Sequence, residues 1–332
     1  MSAHELRATR ETAGLFDYTT RGKVAATGGE RVAFLQGMLT SDVVALAEGA
    51  AQRSALVTAK AKMIANLLLL KCRESILIET PPARAQIVAD TLNKFLITED
   101  AEIVNVSDAW AIFAVQGPRA GDVVRAIVAP HDATIAIPTS NFTLAESDQP
   151  EARVIVLAHD RFRTSGFDLW VAAAGAAALR ARLLEAGGAF GLVECGADAR
   201  ETLRIAAGRP AWGREATDEY FPGEAGLGSA VSVTKGCYVG QETLSRIHHI
   251  GKMHRVLARA SIGENAFIAP GTELSLDAKE VGRVTSVAPI AEAGRRAALA
   301  IVRRDAAAAS ATLVAHSPDG AAHEVAIIAT ID

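Results

Sequence analysis

Aromatic side chains make up only 5% of the 332 residues, so the interior has to be packed mainly with aliphatic groups, and cysteine is scarcer still. The three thiols, Cys72, Cys195 and Cys237, are odd in number, far apart and without a CxxC pair. That pattern excludes a disulfide framework and gives no local case for a permanently bound zinc or iron-sulphur centre; reduced thiols are the expectation. No apolar run reaches the length of a membrane span: the longest, residues 64–70, contains Asn66 and is strand-sized. No charge sign dominates, and a net charge of -4 excludes the broad basic surface of a nucleic-acid binder while leaving room for a local basic pocket. The first seven residues hold no apolar signal core, so a cytoplasmic location is expected. What is present is a 50% hydrophobic, 22% charged composition over a length too great for one core, which predicts a globular protein of two or three domains.

The periodicity alternates strands and helices through the first half. Strands are expected at 23–27, 53–58, 65–72 and 75–80, with helices at 30–39 and from the Pro81-Pro82 pair to about residue 95. Thr40-Ser41-Asp42 offers a fresh N-cap before 43–47. A second unit begins near Trp110, with strands at 111–116, 153–158, 166–173 and 191–194 and helices at 119–128 and 176–186; the polar stretch 130–150 reads as loop or short edge strands. Asp198 and Glu201 have capping-box spacing for a helix that ends at Gly208. Six short strands follow, at 255–261, 273–276, 281–288, 297–302, 312–315 and 325–329, and predict a small β-barrel.

The densest chemistry lies in Lys235-Gly236-Cys237-Tyr238-Val239-Gly240-Gln241-Glu242, with Arg246 following. Gly236 and Gly240 permit conformations or close approaches that a Cβ blocks, so the stretch reads as a tight loop leading into a helix with Gln241 and Glu242 in its first turn. A thiol at such a helix start, beside Lys235, would be drawn toward the thiolate, which is both the nucleophile and the metal-ligating form. A buried, inert cysteine is the competing interpretation. His248, His249 and His254 follow with Arg246 and Lys252; adjacent histidines cannot share one face of a regular element, so solvated charge at a pocket mouth is favoured over a metal site. Trp212 and Tyr220 could stack on a ring or act as packing anchors, and Cys72 and Cys195, each ending an apolar run, are assigned to structure.

The KGC-aromatic-x-GQE run resembles the hallmark of the YgfZ-type folate-binding proteins, relatives of the glycine-cleavage T-protein. Supporting pieces occur in the family's order: residues 34–43, Val115-Gln116-Gly117-Pro118, Leu203-Arg204-Ile205 with Gly208 and Pro210, and 221–225. The resemblance implies an α+β, three-lobed T-protein-like fold with ferredoxin-like antiparallel sheets and a C-terminal β-barrel. The lobes would be 1–108 with 196–245, a second at 109–195, and the barrel at 246–332. It implies a tetrahydrofolate-type ligand, held by Lys235, Tyr238, Gln241, Glu242, Arg246, Asn66, Glu224 and Lys62. It also implies a role in assembly or repair of iron-sulphur clusters, with Cys237 as the functional thiol and transient cluster ligand and no permanently bound metal. Its partners would be the assembly machinery or client enzymes, with iron-sulphur tRNA-modifying enzymes as indirect beneficiaries, and neither nucleic acid nor membrane bound directly. Such a chain closes most of its own core and could stand as a monomer.

Two departures bear on the chemistry. In aminomethyltransferases an acidic pair, whose first member is the catalytic aspartate, stands in the run that here reads Lys62-Met63-Ile64-Ala65-Asn66-Leu67. An alanine there cannot transfer a proton. Relatives also carry a pterin-binding glutamate at the place of Ala206, so a pterin would need another acid, Glu224 or Glu242. The alternative function is tetrahydrofolate-dependent aminomethyl transfer or demethylation using other carboxylates.

Overall fold

The computed structural model describes residues 2–128, 135–147, 153–249, 253–308 and 310–331. The chain divides into two compact units, Met1–Leu56 with Ala65–Gly196, and Val57–Ile64 with Ala197–Asp332. In the first lie α1 (Ser2–Glu11), β1 (Ala13–Asp17), β2 (Gly22–Thr27), α2 (Arg31–Met38), the body of the β3 (Ala50–Val57) and β4 (Met63–Lys71) hairpin, β5 (Ile76–Thr80), α3 (Ala85–Asn93) and β6 (Glu102–Asn105). They are followed by β7 (Trp110–Gln116), α4 (Ala120–Val128), β8 (Leu144–Glu146), β9 (Val154–Ala158), β10 (Gly166–Ala172), α5 (Ala176–Gly187) and β11 (Leu192–Glu194). The second unit holds the hairpin tip 57–64, α6 (Ala197–Ala206), α7 (Gln241–His249) and β12 (Arg255–Gly263), β13 (Glu273–Leu276), β14 (Lys279–Val287), β15 (Arg295–Arg303), β16 (Thr312–His316) and β17 (Ala322–Ile331).

Two sheets organise the first unit, one in the order β3-β4-β5-β2-β6 and the other β11-β1-β7-β10-β9-β8. Both are ferredoxin-like, with mostly antiparallel pairing; β1 with β11 is parallel. The central strands of the six-stranded sheet are apolar at successive positions because both faces are covered. Phe113, Val115, Leu169 and Val156 pack with Val123, Val124 and Ile127 of α4 and Leu183 of α5. The alternate positions Ile112, Trp170, Ile155 and Leu157 pack against Leu68, Leu70 and Leu77 of the five-stranded sheet, as the period of two requires.

One charged position on that second face, Asp168 of β10, is fully buried, and its charge is met by a network. Arg161 donates to Asp168 Oδ1 and Oδ2 at 2.8 Å each and to Glu79 Oε2 at 2.8 Å; Arg21 donates to Glu79 Oε1 at 2.6 Å; His159 Nδ1 lies 2.7 Å from Asp168. Arg161 also lies over the Tyr18 ring at 4.0 Å. Burial alone would raise the Glu79 pKa, yet the Arg161 and Arg21 guanidiniums hold it far below the usual carboxylate range. Nothing local in His159-Asp160-Arg161, between the strands expected at 153–158 and 166–173, announces this role.

The six predicted C-terminal strands form a closed barrel in the order β12-β15-β14-β13-β16-β17. Its interior mixes alanines (Ala258, Ala260, Ala298, Ala300, Ala315) with Val256, Val284, Leu274 and Leu313, the small-and-large filling that a narrow barrel needs. The register of β14 shifts between Val284 and Ser286, leaving Thr285 as the extra residue of a β-bulge.

Several boundaries differ from expectation. The helix expected at 43–47 is only a turn: Gln36 Oε1 accepts from Val43 N and Val44 N, and Asp42 Oδ1 accepts from Ala45 N, so side chains rather than a helical ladder take these amides. Asp198 lies inside the first turn of α6 rather than capping it, and Glu201 is engaged by Arg204 instead. Strands β1 and β6 and helix α1 carry no strong local pattern and were not anticipated. Of the 130–150 stretch, 129–134 and 148–152 lie outside the described residues, and β8 within it is a short edge strand.

Candidate functional site

The motif loop is built against the hairpin tip of its own unit. Ala61 in that tip adopts φ +60° and closes a turn in which Thr58 N donates to Lys62 O at 2.8 Å. Ala61 then packs with Tyr238 and Leu244, with Phe221 and Val231 against them. Gly240 has φ +84°, and a Cβ there would stand 2.7 Å from the Thr58 carbonyl oxygen, so both conformation and space demand glycine. Gly236 makes no such demand, since an added Cβ would meet nothing within 4 Å.

As expected, the loop runs directly into a helix, α7, with Glu242 in its first turn and Arg246, His248 and His249 in its last, a charge order that suits the helix dipole. Glu242 and Arg246 pair at 2.9 Å on an exposed face. Lys235 is buried, its ammonium 4.4 Å from the centre of the Tyr238 ring, and the Tyr238 hydroxyl donates to Ser232 O at 3.2 Å. Burial raises the Tyr238 pKa and keeps the phenol neutral. Lys62 donates to Glu219 O at 2.6 Å and lies 4.1 Å over the Phe221 ring. Glu224, 8% exposed, accepts from Phe221 N through Oε2 at 3.1 Å, and its other oxygen has no hydrogen bond among the described residues.

Cys237 is exposed, whereas Cys72 is buried. Burial pushes the Cys72 thiol up to about 12 and the Cys195 thiol up to about 11. Cys195 is further occupied by Thr9 Oγ1 at 3.6 Å. Among the described residues no group of three or more His, Cys, Asp or Glu could hold a metal ion, and His248 and His249 stack edge-to-face at 4.9 Å.

Asn66 lies in the first unit, on β4. Its Oδ1 is buried and has no hydrogen-bond partner among the described residues, and its neighbour Ala65 is fully buried. The other eight residues assigned from the sequence all belong to the second unit. That unit has a cavity of about 500 Å³ lined by Leu244, Ile247 and His248 of α7 with Phe221, Val231, Val233 and Arg304; none of the assigned residues lines it. Sequence reasoning also missed the hairpin tip as the surface that shapes the motif, because nothing local in Ala59-Lys60-Ala61-Lys62 announces a partner some 180 residues away.

Residues 1–235 match the family described as the GCVT N-terminal domain. The chain belongs to this family. It is 29% identical over 305 residues to the aminomethyltransferase of Bacillus subtilis, covering 90% of this chain and 82% of that protein. With the aminomethyltransferase of Bacillus licheniformis it shares 31% identity, covering 92% and 83%. The crystal structure of glycine cleavage system aminomethyltransferase T from Bartonella henselae superposes with a TM-score of 0.85 at 21% identity, covering 99% of this chain and 88% of that one. The fold is therefore the T-protein fold, mixed α+β with ferredoxin-like sheets and a closed C-terminal barrel. Within this family the chain carries Ala65, an apolar side chain, where the resemblance implies a catalytic aspartate.

Proposed function

We propose that this member of the GCVT family is a folate-binding protein acting through the Cys237 thiol in assembly or repair of iron-sulphur clusters, with cluster-dependent tRNA-modifying enzymes as indirect beneficiaries. The observation that carries this reading is the contrast among the thiols: Cys237 is exposed on a loop pinned by Gly240, while Cys72 and Cys195 are held as neutral thiols by burial. An exposed thiol can reach a cluster or a partner, whereas Cys72 is buried and Cys195 is half-buried and engaged with Thr9. Ala65 supplies no acid for aminomethyl transfer.

The residues present fit a reduced folate in part. A pterin ring is rich in N–H donors, and the second Glu224 oxygen is an acceptor without a hydrogen bond among the described residues; Asn66 is assigned to the ligand by likeness alone. Glu242 is 87% exposed and engaged with Arg246, so Glu224 is the better replacement for the acid absent at Ala206. Lys62, Lys235, Tyr238, Gln241 and Arg246 remain assigned to the same ligand by likeness. Bound folate would supply the nitrogen that carries a one-carbon unit.

The names of the relatives favour a second reading, tetrahydrofolate-dependent aminomethyl transfer or demethylation. Anaerobic titration of tetrahydrofolate and of a cluster donor into the wild type and Cys237→Ser separates the two. The first reading expects unchanged folate binding, loss of cluster transfer in the variant, and failure of the variant gene to restore cluster-enzyme activity in a deletion strain. Turnover of an aminomethyl or methylamine donor by the purified wild type, undiminished in Cys237→Ser, would establish the second.

A further inference from the structure

A second cavity in the barrel-containing unit, of about 510 Å³, is unlike the apolar one beside α7. Its lining includes Arg214, Thr217 and Glu219 from the 213–220 loop, and Arg283 and Thr285 from β14. Three observations point to a ligand. First, Thr285 is the extra residue of the β14 bulge, a distortion that re-aims a side chain out of the ladder. Second, Thr285 is 7% exposed, and its buried hydroxyl has no hydrogen-bond partner among the described residues. A buried hydroxyl left unpaired costs stability, and one placed at a cavity wall by a bulge is explained if a ligand completes it. Third, the Arg214 guanidinium donates no hydrogen bond among the described residues, although Glu201 lies close enough to feel its charge. The Arg283 guanidinium pairs with Glu219 at 3.2 Å, with both side chains about half exposed or more (48% and 62%), an arrangement in which the pairing is weak and exchangeable. Two cations thus face one carboxylate, leaving the wall with a net positive charge.

We infer that this cavity, walled by Arg214, Arg283 and the bulge residue Thr285, binds an oxyanion-bearing small molecule, a carboxylate or a phosphate. Guanidiniums match both oxyanions geometrically, and the Thr285 hydroxyl supplies the orienting donor. Gly213 and Gly271, both at positive φ and both with open space where a Cβ would stand, keep the backbone bare at the wall. The site shares no residue with the Cys237 loop or with the acceptors assigned to folate, so it stands or falls independently of the proposed function.

The test titrates inorganic phosphate and glutarate separately into the full-length protein at matched ionic strength, read by calorimetry. Arg214→Gln and Arg283→Gln should each weaken binding about tenfold, the size of a lost charge-assisted hydrogen bond, and Thr285→Val about fivefold. Cys237→Ser should bind as the wild type does. Binding of phosphate alone, of glutarate alone or of both identifies the oxyanion and supports the site. Absence of binding by either probe overturns it, as does binding that the three cavity variants leave within twofold of wild type. Thr285→Val carries a second readout: removing an unpaired hydroxyl should leave the Tm of the ligand-free protein unchanged or higher. A fall of several degrees would mean that the hydroxyl already has a protein partner, and the inference fails.

Discussion

Removing Arg161 should destabilise the first unit more than any surface substitution, and the structure supplies the size of the effect. The guanidinium is shared by Glu79 and Asp168, whose side chains are 2% and 0% exposed. Arg161→Met keeps most of the stem's packing but leaves Asp168 with His159 and Glu79 with Arg21. Breaking a buried pair by deleting one partner typically costs about 3–5 kcal/mol, because the remaining charge stays desolvated. For a folding unit of this size that corresponds to a Tm lower by about 6–20 °C. The pH dependence follows from the depressed Glu79 pKa. An unfolded glutamate takes up its proton near about pH 4.3, whereas the folded one resists protonation to lower pH. The stabilisation is present above the unfolded value and is lost as pH falls toward the folded one. Thermal melts of wild type between neutral pH and about pH 3 should therefore show a decline that flattens in Arg161→Met, and adding Glu79→Gln to that variant should recover part of the loss. An Arg161→Met protein within about 1 kcal/mol of wild type at pH 7 would refute the reasoning, because it would make the pair behave as an exposed one.

Alkylation with a small maleimide at pH 8 should label Cys237 well before the other two thiols, since only about one in ten thousand Cys72 and one in a thousand Cys195 side chains would be ionised there; peptide mapping of the labelled sites checks this. Raising the pH above about 8.5 should lower stability, because an unfolded thiol ionises there while the folded Cys72 and Cys195 stay neutral to higher pH, and Cys72→Ala should reduce that slope. Gly240→Ala places a methyl group against Thr58 O at a positive φ, so a loss of about 1–3 kcal/mol with detachment of the motif loop from the hairpin tip is expected in denaturant melts and hydrogen exchange. Gly236→Ala should be nearly silent in the same assays. Asn66→Leu should leave stability unchanged or raised while weakening tetrahydrofolate binding about fivefold or more in calorimetry; unchanged binding would remove Asn66 from the ligand site.

Much of this protein is determined by its sequence alone. The six barrel strands are readable because each is a short apolar or β-branched run between Gly, Pro and Asp breaks, and β-structure of that kind depends on neighbours only for its partners. The loop-to-helix form of the motif follows from Gly240 and the Gln241–Glu242 start, and the T-protein relationship that the motif's likeness implies agrees with the family match over residues 1–235. The tertiary structure decided what depends on distant residues. Gly236 and Gly240 look equivalent in sequence, and only the carbonyl of Thr58, brought in from another part of the chain, makes one of them irreplaceable. Three cysteines look alike until burial separates Cys237 from Cys72 and Cys195. Arg161, one charged residue among many in the sequence, becomes the counter-charge of two strands in two sheets, and Thr285 becomes a candidate binding group only because a bulge in β14 places it at a cavity wall. Periodicity encodes which face of an element is apolar, while desolvation and hydrogen-bond satisfaction depend on what the fold places opposite that face.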